Sequence, residues 1–143
     1  MKIAVAADHA GVNHKNRVAQ LLRELGHEVT DMGTDGEESV DYPDFAAKVA
    51  KAVAAGEAER GVLVCATGIG MSMGANRVKG VRAALCGDEH AAELSRNHND
   101  SNVLCLAGRG RSWEEISPIV MKWIDAPFEG GRHARRVAKL DEI

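Results

Sequence analysis

Gly61-Val-Leu-Val-Cys65-Ala-Thr67-Gly68-Ile-Gly70-Met-Ser72-Met-Gly74-Ala-Asn76 is the stretch that decides the fold. Its apolar run from Val62 to Val64 carries no charge and is typical of a strand buried on both faces of a parallel sheet. After Cys65 the chain opens into three glycines, which adopt conformations that other residues avoid and leave amide N–H groups uncovered where a helix begins. The stretch therefore predicts a strand, a sharp turn and a helix start.

The turn after this strand lies where open α/β sheets bind their ligands. A helix N-terminus favours negative charge, and Cys65 and Thr67 stand beside it at the carboxyl end of the strand. The alternative interpretation is a glycine-rich strand-to-helix turn with a buried thiol and no ligand.

Strands alternate with helices along the rest of the chain. Apolar runs predict strands at Ile3–Ala7, His27–Thr30, Gly61–Cys65, Val81–Leu85 and Val103–Ala107. Periodicity, caps and glycine stops predict helices over about 12–25, from Pro43 to Gly56, from the glycine turn to about Arg77, over Glu89–Arg96 with Asp88 as cap, after the Ser112–Glu115 capping box and after Gly130-Gly131. Asp31 to Asp41 is expected to be a loop, and Pro118 predicts a kink or a later start of its helix.

This order predicts an α/β fold: a three-layer α/β/α sandwich with a five-stranded parallel, Rossmann-like sheet and a C-terminal helix. The 143 residues fit one domain, 1–143, with a substantial core. Right-handed crossovers place the carboxyl end of every strand along one edge of the sheet. Asp8 and His9, Cys65 to Thr67, and the residues after Ala107 are therefore expected to share that edge.

Charge and cysteine usage exclude several functional classes. A formal net charge of −3 argues against general nucleic-acid binding, which needs a broad positive surface. No apolar stretch approaches the length of a membrane span, and the first residues develop no signal-length core. The three cysteines lack metal spacing and form no disulfide framework, so we expect a location in the reducing cytoplasm.

Cys65 is the candidate base or nucleophile. A thiol reacts as the thiolate, which nearby positive charge or a helix N-terminus stabilises. Cys65 has that setting, whereas Cys86 is followed by only one glycine and Cys105 is expected to point into the core. Without the glycine turn, buried structural thiols would be the better interpretation of all three.

Arginines near the carboxyl terminus are candidates for binding phosphate. Arg132, Arg135 and Arg136 follow the Gly130-Gly131 pair, and Arg109 follows the fifth strand. Guanidinium groups bind phosphate in a bidentate manner that lysine cannot match. A solvated, charged final helix is the alternative.

Two histidines lie in polar turns, His9 near the start and His98 before the fifth strand. Each could act as an acid or base near neutral pH, or be an ordinary surface residue. The spacing of histidines and cysteines suggests no zinc site.

The pattern Gly68-x-Gly70-x-x-x-Gly74 also has to be compared with nucleotide-binding loops. It lacks the Walker lysine and misses the dinucleotide spacing by one residue. Asp88 falls about where a ribose-binding acid would, which keeps a non-catalytic nucleotide-binding module open as an alternative. Such a loop normally follows the first strand, however, and this one follows the third.

Five motifs in this order resemble the ribose-5-phosphate isomerase B family, within the sugar-phosphate isomerases that include galactose-6-phosphate and allose-6-phosphate isomerases. They are Asp8-His9-Ala-Gly11, Asp41-Tyr42-Pro43, Cys65-Ala-Thr67-Gly68-Ile-Gly70 with Asn76, His98-Asn99-Asp100-x-Asn102 and Gly130-Gly131-Arg132-His133-x-x-Arg136. The resemblance covers nearly the whole chain. Ala66 stands where glycine is common, a departure that concerns the detail of the loop rather than the chemistry.

The resemblance implies a reversible isomerisation of ribose 5-phosphate and ribulose 5-phosphate through an enediolate, without metal or cofactor. One branch of the family uses a cysteine to move the proton between C1 and C2, and another uses a glutamate at the position of Met71. This chain has Cys65 and no acid at 71, so it resembles the cysteine branch. By the same matching, Thr67 supports the sugar oxygens, and Asp8 with His98 opens the ring.

Substrate contacts are implied in the same way. The amides of Gly68 to Ser72 would stabilise the enediolate oxyanion, and arginines and histidines would hold the phosphate. The residues concerned are His9, Tyr42, Gly68, Ile69, Gly70, Met71, Ser72, Asn99, Arg109, Arg132, His133 and Arg136. The family pairs two subunits so that the His98 loop and the tail complete the neighbour's pocket, which implies a homodimer with shared sites or a dimer of dimers. A six-carbon aldose 6-phosphate is the alternative substrate.

Overall fold

Five parallel strands form one sheet in the computed structural model, which describes residues 1–143. In chain order the strands are β1 (Lys2–Ala7), β2 (Glu28–Asp31), β3 (Arg60–Cys65), β4 (Ala83–Leu85) and β5 (Val103–Ala107). Their order across the sheet is β2-β1-β3-β5-β4, and every neighbouring pair is parallel. The predicted five-stranded parallel sheet is confirmed, and β5 has the predicted bounds.

Helices cover both faces of the sheet. They are α1 (Val12–Glu24), α2 (Tyr42–Ala54), α3 (Ile69–Ala75), α4 (Glu89–Asn97), α5 (Trp113–Asp125) and α6 (Arg132–Asp141). One apolar cluster contains residues of α1, α4 and α5, and a second cluster on the other face contains residues of α2 and α3. The three-layer α/β/α arrangement is therefore confirmed. None of the helices combines the length and apolar character that a membrane crossing requires.

The packing of the central strand β3 explains why its sequence is apolar from Val62 to Cys65. Val62 and Val64 pack in the cluster with α1, whereas Leu63 and Cys65 pack in the cluster with α2. Successive side chains of a strand point to opposite faces, so a strand that is covered on both sides buries all of them. Each large aliphatic side chain buried in this way contributes about 1.5–3 kcal/mol to folding.

The predicted start of β4 is wrong because two backbone groups have other partners. The Val81 N–H closes a turn onto the Val78 carbonyl at 3.1 Å. The Arg82 N–H donates to the side-chain oxygen of Asn102 at 2.7 Å. The strand therefore begins at Ala83.

Helix α5 contains Pro118 inside it, so the proline does not mark a later start of the helix. The helix begins at Trp113, and the predicted capping box is present, with Ser112 and Glu115 each bonding the other's backbone. Pro118 is the sixth residue of the helix, so its missing N–H deprives only the Glu114 carbonyl of an intrahelical partner.

The side chain of Lys15 is fully buried on the inner face of α1, a feature that the sequence analysis missed. Its Nζ donates to both carboxylate oxygens of Asp31 at 2.8 Å, to the Thr34 carbonyl at 2.8 Å and to Asp35 Oδ1 at 2.9 Å. An ammonium group has three donors, so these acceptors satisfy the buried charge. Lys15 thereby attaches the segment between β2 and α2 to the body of the fold.

We expect Lys15→Met to lower the free energy of unfolding by about 3 kcal/mol, measured by urea denaturation. The substitution leaves the Asp31 carboxylate with only the Gly33 N–H as donor and the Thr34 carbonyl without the ammonium group, and about 3 kcal/mol is the lower end for a broken buried pair. The lower end applies because the Asp31 side chain is 27% exposed. Lys51→Met is the control, since Lys51 is exposed and has no ion pair, and it should change stability by no more than about 0.5 kcal/mol. Equal losses in the two variants would contradict the assignment.

Candidate active site

Backbone hydrogen bonds join three loops at the carboxyl edge of the sheet. The Asp8 N–H donates to the Val64 carbonyl at 3.2 Å, and the Gly108 and Arg109 N–H groups donate to the Cys65 and Ala66 carbonyls at 2.7 and 3.1 Å. The ends of β1, β3 and β5 are thus held side by side. The prediction that these three segments share one edge is confirmed.

Close packing of these loops requires a glycine in the loop after β1 and another in the loop after β5. A Cβ atom at Gly11 would lie 2.6 Å from the Val64 carbonyl oxygen, which real Cβ atoms do not tolerate. A Cβ atom at Gly108 would lie 3.1 Å from the Ala10 carbonyl oxygen, which is also tight. The absence of side chains at these two positions lets the loops meet.

The sulfur of Cys65 is enclosed by the turn that follows it. Its Sγ accepts a hydrogen bond from the Gly68 N–H at 3.2 Å, and Cys65 is only 5% exposed. Gly68 has a φ of 78°, a left-handed conformation that brings its N–H back toward the sulfur. A backbone donor aimed at sulfur stabilises negative charge there, which is the form a thiol needs in order to act as a base.

Only part of the predicted amide cradle is available for a ligand. The Gly68 N–H donates to Cys65 Sγ, the Ile69 N–H to Thr67 Oγ1 at 3.2 Å and the Ser72 N–H to the Gly68 carbonyl at 3.0 Å. The expectation that all amides from Gly68 to Ser72 face the substrate is therefore corrected. The N–H groups of Gly70 and Met71 have no acceptor in the chain, and they remain as the pair that can bind an oxyanion.

Side chains around this turn are arranged to leave its backbone accessible. The Met71 side chain is fully buried and points into the core, so this residue can offer a ligand only its amide. The ring of Tyr42 lies against Gly70, because a Cβ atom there would be 2.3 Å from Tyr42 Cε1. Thr67 is exposed at the rim of the turn.

Asp8 and His9 are both fixed in the turn after β1. Asp8 Oδ1 accepts from the Ala10 N–H at 2.9 Å, and Asp8 is 8% exposed. His9 Nδ1 accepts from the Val40 N–H at 3.2 Å. Because a backbone N–H can only donate, Nδ1 of the neutral ring is the bare nitrogen and Nε2 carries the proton. His9 can therefore donate an Nε2–H bond to an anionic oxygen.

A second group of predicted residues lies elsewhere. His98, Asn99, His133 and Arg136 line a hollow of about 370 Å³ with Val137 and Leu140. His98 and Asn99 precede the amino end of β5, whereas Cys65 ends the parallel strand β3. The five residues of β5 span about 16 Å at ~3.3 Å per residue. Within one chain, the two groups therefore lie at opposite edges of the sheet.

The two histidines of the second group stack on one another. The ring centroids of His98 and His133 are 4.3 Å apart, and the ring planes differ by 11°. Burial lowers the pKa of His133, and electrostatic interaction with the neighbouring His98 and Arg132 lowers it further, against a smaller opposing effect of Glu129. His133 is therefore neutral at neutral pH and carries one bare ring nitrogen.

The predicted arginines divide between the two edges. Arg109 follows β5 at the carboxyl edge, whereas Arg132 and Arg136 lie on α6 with the second group. None of these three guanidinium groups forms an ion pair in the chain. They are therefore available to bind phosphate from outside the chain.

Glu129 is a residue of this second group that the sequence analysis missed. Its Oε2 lies 3.9 Å from His98 Nε2 and 3.5 Å from His133 Nε2. The only sequence feature that could have indicated its contact with His133 is the spacing of four residues. That spacing brings two side chains together only where the chain is helical or about to become so. The approach to His98 depends on tertiary structure.

A family model described as ribose/galactose isomerase matches residues 3–140 of the chain. The chain belongs to this family. The five sequence motifs that indicated a ribose/galactose isomerase are thus matched by a comparison that covers the sheet and all six helices.

Individual members of the ribose/galactose isomerase family are similar over the full length. The Escherichia coli protein named ribose-5-phosphate isomerase B is 45% identical over 142 residues, which cover 99% of this chain and 95% of that protein. The structure of Clostridium thermocellum ribose-5-phosphate isomerase B is 50% identical with a TM-score of 0.97 and covers 99% and 96% of the two chains. That of Mycoplasma genitalium ribose-5-phosphate isomerase B with bound ribulose 5-phosphate is 41% identical with a TM-score of 0.94, covering 99% and 94%.

The nucleotide-binding alternative loses its acidic residue in this ribose/galactose isomerase. The carboxylate of Asp88 accepts the Ala91 N–H at 2.7 Å as the cap of α4, as the sequence predicted. This capping role accounts for an acidic residue at position 88 without any need for a ribose. The glycine turn also follows β3 rather than the first strand.

We expect Gly70→Ala to lower the thermal midpoint by several degrees, because the new methyl group overlaps the Tyr42 ring. An overpacking cost of about 1–3 kcal/mol corresponds to such a shift in a domain of this size. Gly36→Ala, at an exposed position with free space, is the control and should be nearly neutral. In the double variant Gly70→Ala/Tyr42→Ala, removal of the ring should restore part of the loss. Strict additivity of the two single effects would show that the ring is not the cause.

Proposed function

We propose that this chain is a ribose-5-phosphate isomerase that interconverts ribose 5-phosphate and ribulose 5-phosphate. The observation that carries the proposal is the position of Cys65 Sγ at the carboxyl edge, beside the two unpaired N–H groups of Gly70 and Met71. An aldose–ketose isomerisation needs these two elements, a base for a carbon-bound proton and donors for the oxyanion that develops. The Escherichia coli relative bears the name of this enzyme, and the Mycoplasma genitalium relative binds its product.

Different residues of the site carry out the successive steps of the proposed reaction. Asp8 and His98 open the sugar ring by moving a proton between the ring oxygen and the C1 hydroxyl. The Cys65 thiolate then takes the proton from C2, and the electron pair of the C–H bond forms the C1=C2 double bond of an enediolate. The N–H groups of Gly70 and Met71 bind the negative oxygen, and Thr67 holds a neighbouring hydroxyl. A proton moves from the C2 hydroxyl to the C1 oxygen and the thiol returns its proton to C1, so that the electron pair of the C1=C2 bond forms the new C1–H bond and C2 becomes the carbonyl carbon of the ketose.

Phosphate binding orients this chemistry without taking part in it. His9 donates from Nε2 at the carboxyl edge, and Arg109, Arg132 and Arg136 have no carboxylate partner of their own. Binding energy at the unreactive end of a substrate positions the reactive end against the base. We assign the phosphate to this set of residues.

The active enzyme is proposed to be a homodimer with shared sites. Cys65 lies at the carboxyl edge of the sheet, whereas His98 and Arg136 lie at the amino edge, so one chain cannot place all three on one sugar. Around the catalytic turn, Tyr42, Ile69, Met73 and Leu85 expose between 41% and 65% of their surface. A twofold pairing that covers this apolar surface would bring the second group of the partner to the first group of this chain. We place the enzyme in the reducing cytoplasm, where its three free cysteines stay reduced.

We expect Cys65→Ala to lower kcat for ribose 5-phosphate by about 10²–10⁴-fold, since it removes the proposed general base. The circular-dichroism spectrum and the KM should change little. Cys86→Ser is the control, because Cys86 is buried near Ser95 on the other face of the sheet and should retain kcat within a few-fold. Near-normal turnover by Cys65→Ala would remove Cys65 from the mechanism. The same assay with allose 6-phosphate and galactose 6-phosphate tests the six-carbon alternative, which a higher kcat/KM for either sugar would favour.

Mixing two inactive variants tests whether the sites are shared. Cys65→Ala and Arg136→Ala should each be impaired as homodimers, the second through KM. After subunit exchange, a heterodimer carries both substitutions in one site and none in the other, so random pairing should restore about a quarter of wild-type activity. If all the residues of a site came from one chain, no native site would form on mixing. Activity that stays at the level of the separate variants would therefore reject shared sites.

A further inference from the structure

The second group contains nitrogen and oxygen atoms that together form a possible metal site. Metal binding is a role that the proposed isomerase mechanism does not give them. One ligand atom each from His98, Glu129 and His133 lies within 4.8 Å of the other two. Two imidazoles and one carboxylate form the protein ligand set of many zinc sites, with a fourth position left for water or substrate. Glu129 and His133 lie 31 and 35 positions after His98 in the sequence.

Two of the three separations between these atoms are near those of a tetrahedral ion. Zinc bonds of about 2.0–2.2 Å at tetrahedral angles place neighbouring ligand atoms about 3.4 Å apart. Glu129 Oε2 lies 3.5 Å from His133 Nε2 and 3.9 Å from His98 Nε2. Small adjustments would complete the bonds of Glu129 and His133, whereas the ring of His98, which is 38% exposed, has to rotate out of its stack on His133 to complete the third.

The backbone holds the three ligands in register. The Glu129 N–H donates to the Asn97 carbonyl at 3.0 Å, which fixes the segment before α6 beside the end of α4. The His133 N–H donates to the Gly130 carbonyl at 3.0 Å. Neither imidazole forms a hydrogen bond in the chain, so binding an ion would disrupt only their mutual stack and their contacts with Glu129.

The neighbouring charges and the types of ligand atom determine which ions the site can bind. Arg132 and Arg136 repel cations, and Glu129 offsets only one of these two charges. Mg²⁺ and Ca²⁺, which prefer oxygen ligands, gain little from two imidazoles, whereas Zn²⁺ binds imidazole strongly. The site therefore suits a transition-metal ion that forms covalent bonds to nitrogen.

We propose that His98, Glu129 and His133 bind Zn²⁺ and that the bound ion competes with the phosphorylated sugar, the second part resting on the proposed function. An ion at this place takes the ring nitrogen of His98 that ring opening needs. It also occupies the hollow that His133 and Arg136 line for the phosphate. Zn²⁺ and sugar phosphate then exclude one another.

The binding half is tested by titrating the intact protein with ZnCl₂ in a calorimeter. We expect one site per chain, with affinity reduced roughly tenfold or more in Glu129→Gln, because loss of a ligand exceeds the effect of losing an outer-shell partner. Glu114→Gln, at an exposed glutamate without an ion pair on α5, is the control and should bind as the wild type does. Cys65→Ala should also retain the site. Loss of binding in Cys65→Ala, or unchanged binding in Glu129→Gln, would overturn the assignment.

The identity of the ligands is tested with CoCl₂ in place of zinc. Nitrogen and oxygen ligands should give weak visible bands without the near-ultraviolet charge-transfer band of a cobalt–thiolate bond. A thiolate band that disappears in Cys65→Ala would show that the ion binds at the catalytic cysteine instead, which would overturn the proposal.

The competition half is tested by initial rates on ribose 5-phosphate. Zn²⁺ should raise the apparent KM of the wild type without changing kcat, and at least tenfold more Zn²⁺ should be needed for the same proportional rise in Glu129→Gln, measured against the metal-free KM of that variant. Binding without any change in KM would reject the competition and leave the binding result standing. Absence of isomerase activity in the metal-free wild type would reject the proposed function, while the two titrations would still decide whether the metal site exists.

Discussion

The carbonyl groups at the end of β3 are the constraint on which the catalytic edge depends. They accept backbone N–H groups from the loops after β1 and β5, so three segments distant in sequence meet without using any side chain. No side chain of these loops is therefore needed to join the three segments. The cost is the need for glycine at positions 11 and 108, where a Cβ atom would press on the neighbouring backbone.

Features that depend on the residues of a single segment could be predicted from the sequence. The bounds of β5, the capping boxes and caps of α4 and α5, and the turn after Cys65 follow from local runs, caps and glycines, and the structure has them as predicted. The sharing of one edge followed from the handedness of crossovers, which is a property of the fold class rather than of any residue. The start of β4 failed because Asn102, which is remote from it in sequence, bonds the Arg82 N–H.

Features that depend on tertiary contacts were not readable in this way. A lysine in the first turns of α1 looks solvated until Asp31, Thr34 and Asp35 are seen around its ammonium group. The amide cradle also looked larger than it is, because a sequence cannot show that Thr67 Oγ1 and Cys65 Sγ already use two of its donors. The placement of His98 beside Glu129 likewise requires α6 to return to the end of α4.

The separation of the two residue groups across the sheet has a thermodynamic consequence. Helix α6 buries only His133 and Val137, and its far end is attached by the pair formed by Arg82 and Asp141, at 3.1 Å. In the proposed homodimer, a sugar phosphate that contacts the base of one copy and the arginines of the other binds only to the associated form. The proposed arrangement couples ligand binding to association, so saturation with substrate would tighten the dimer and strong dilution would weaken the apparent affinity for substrate.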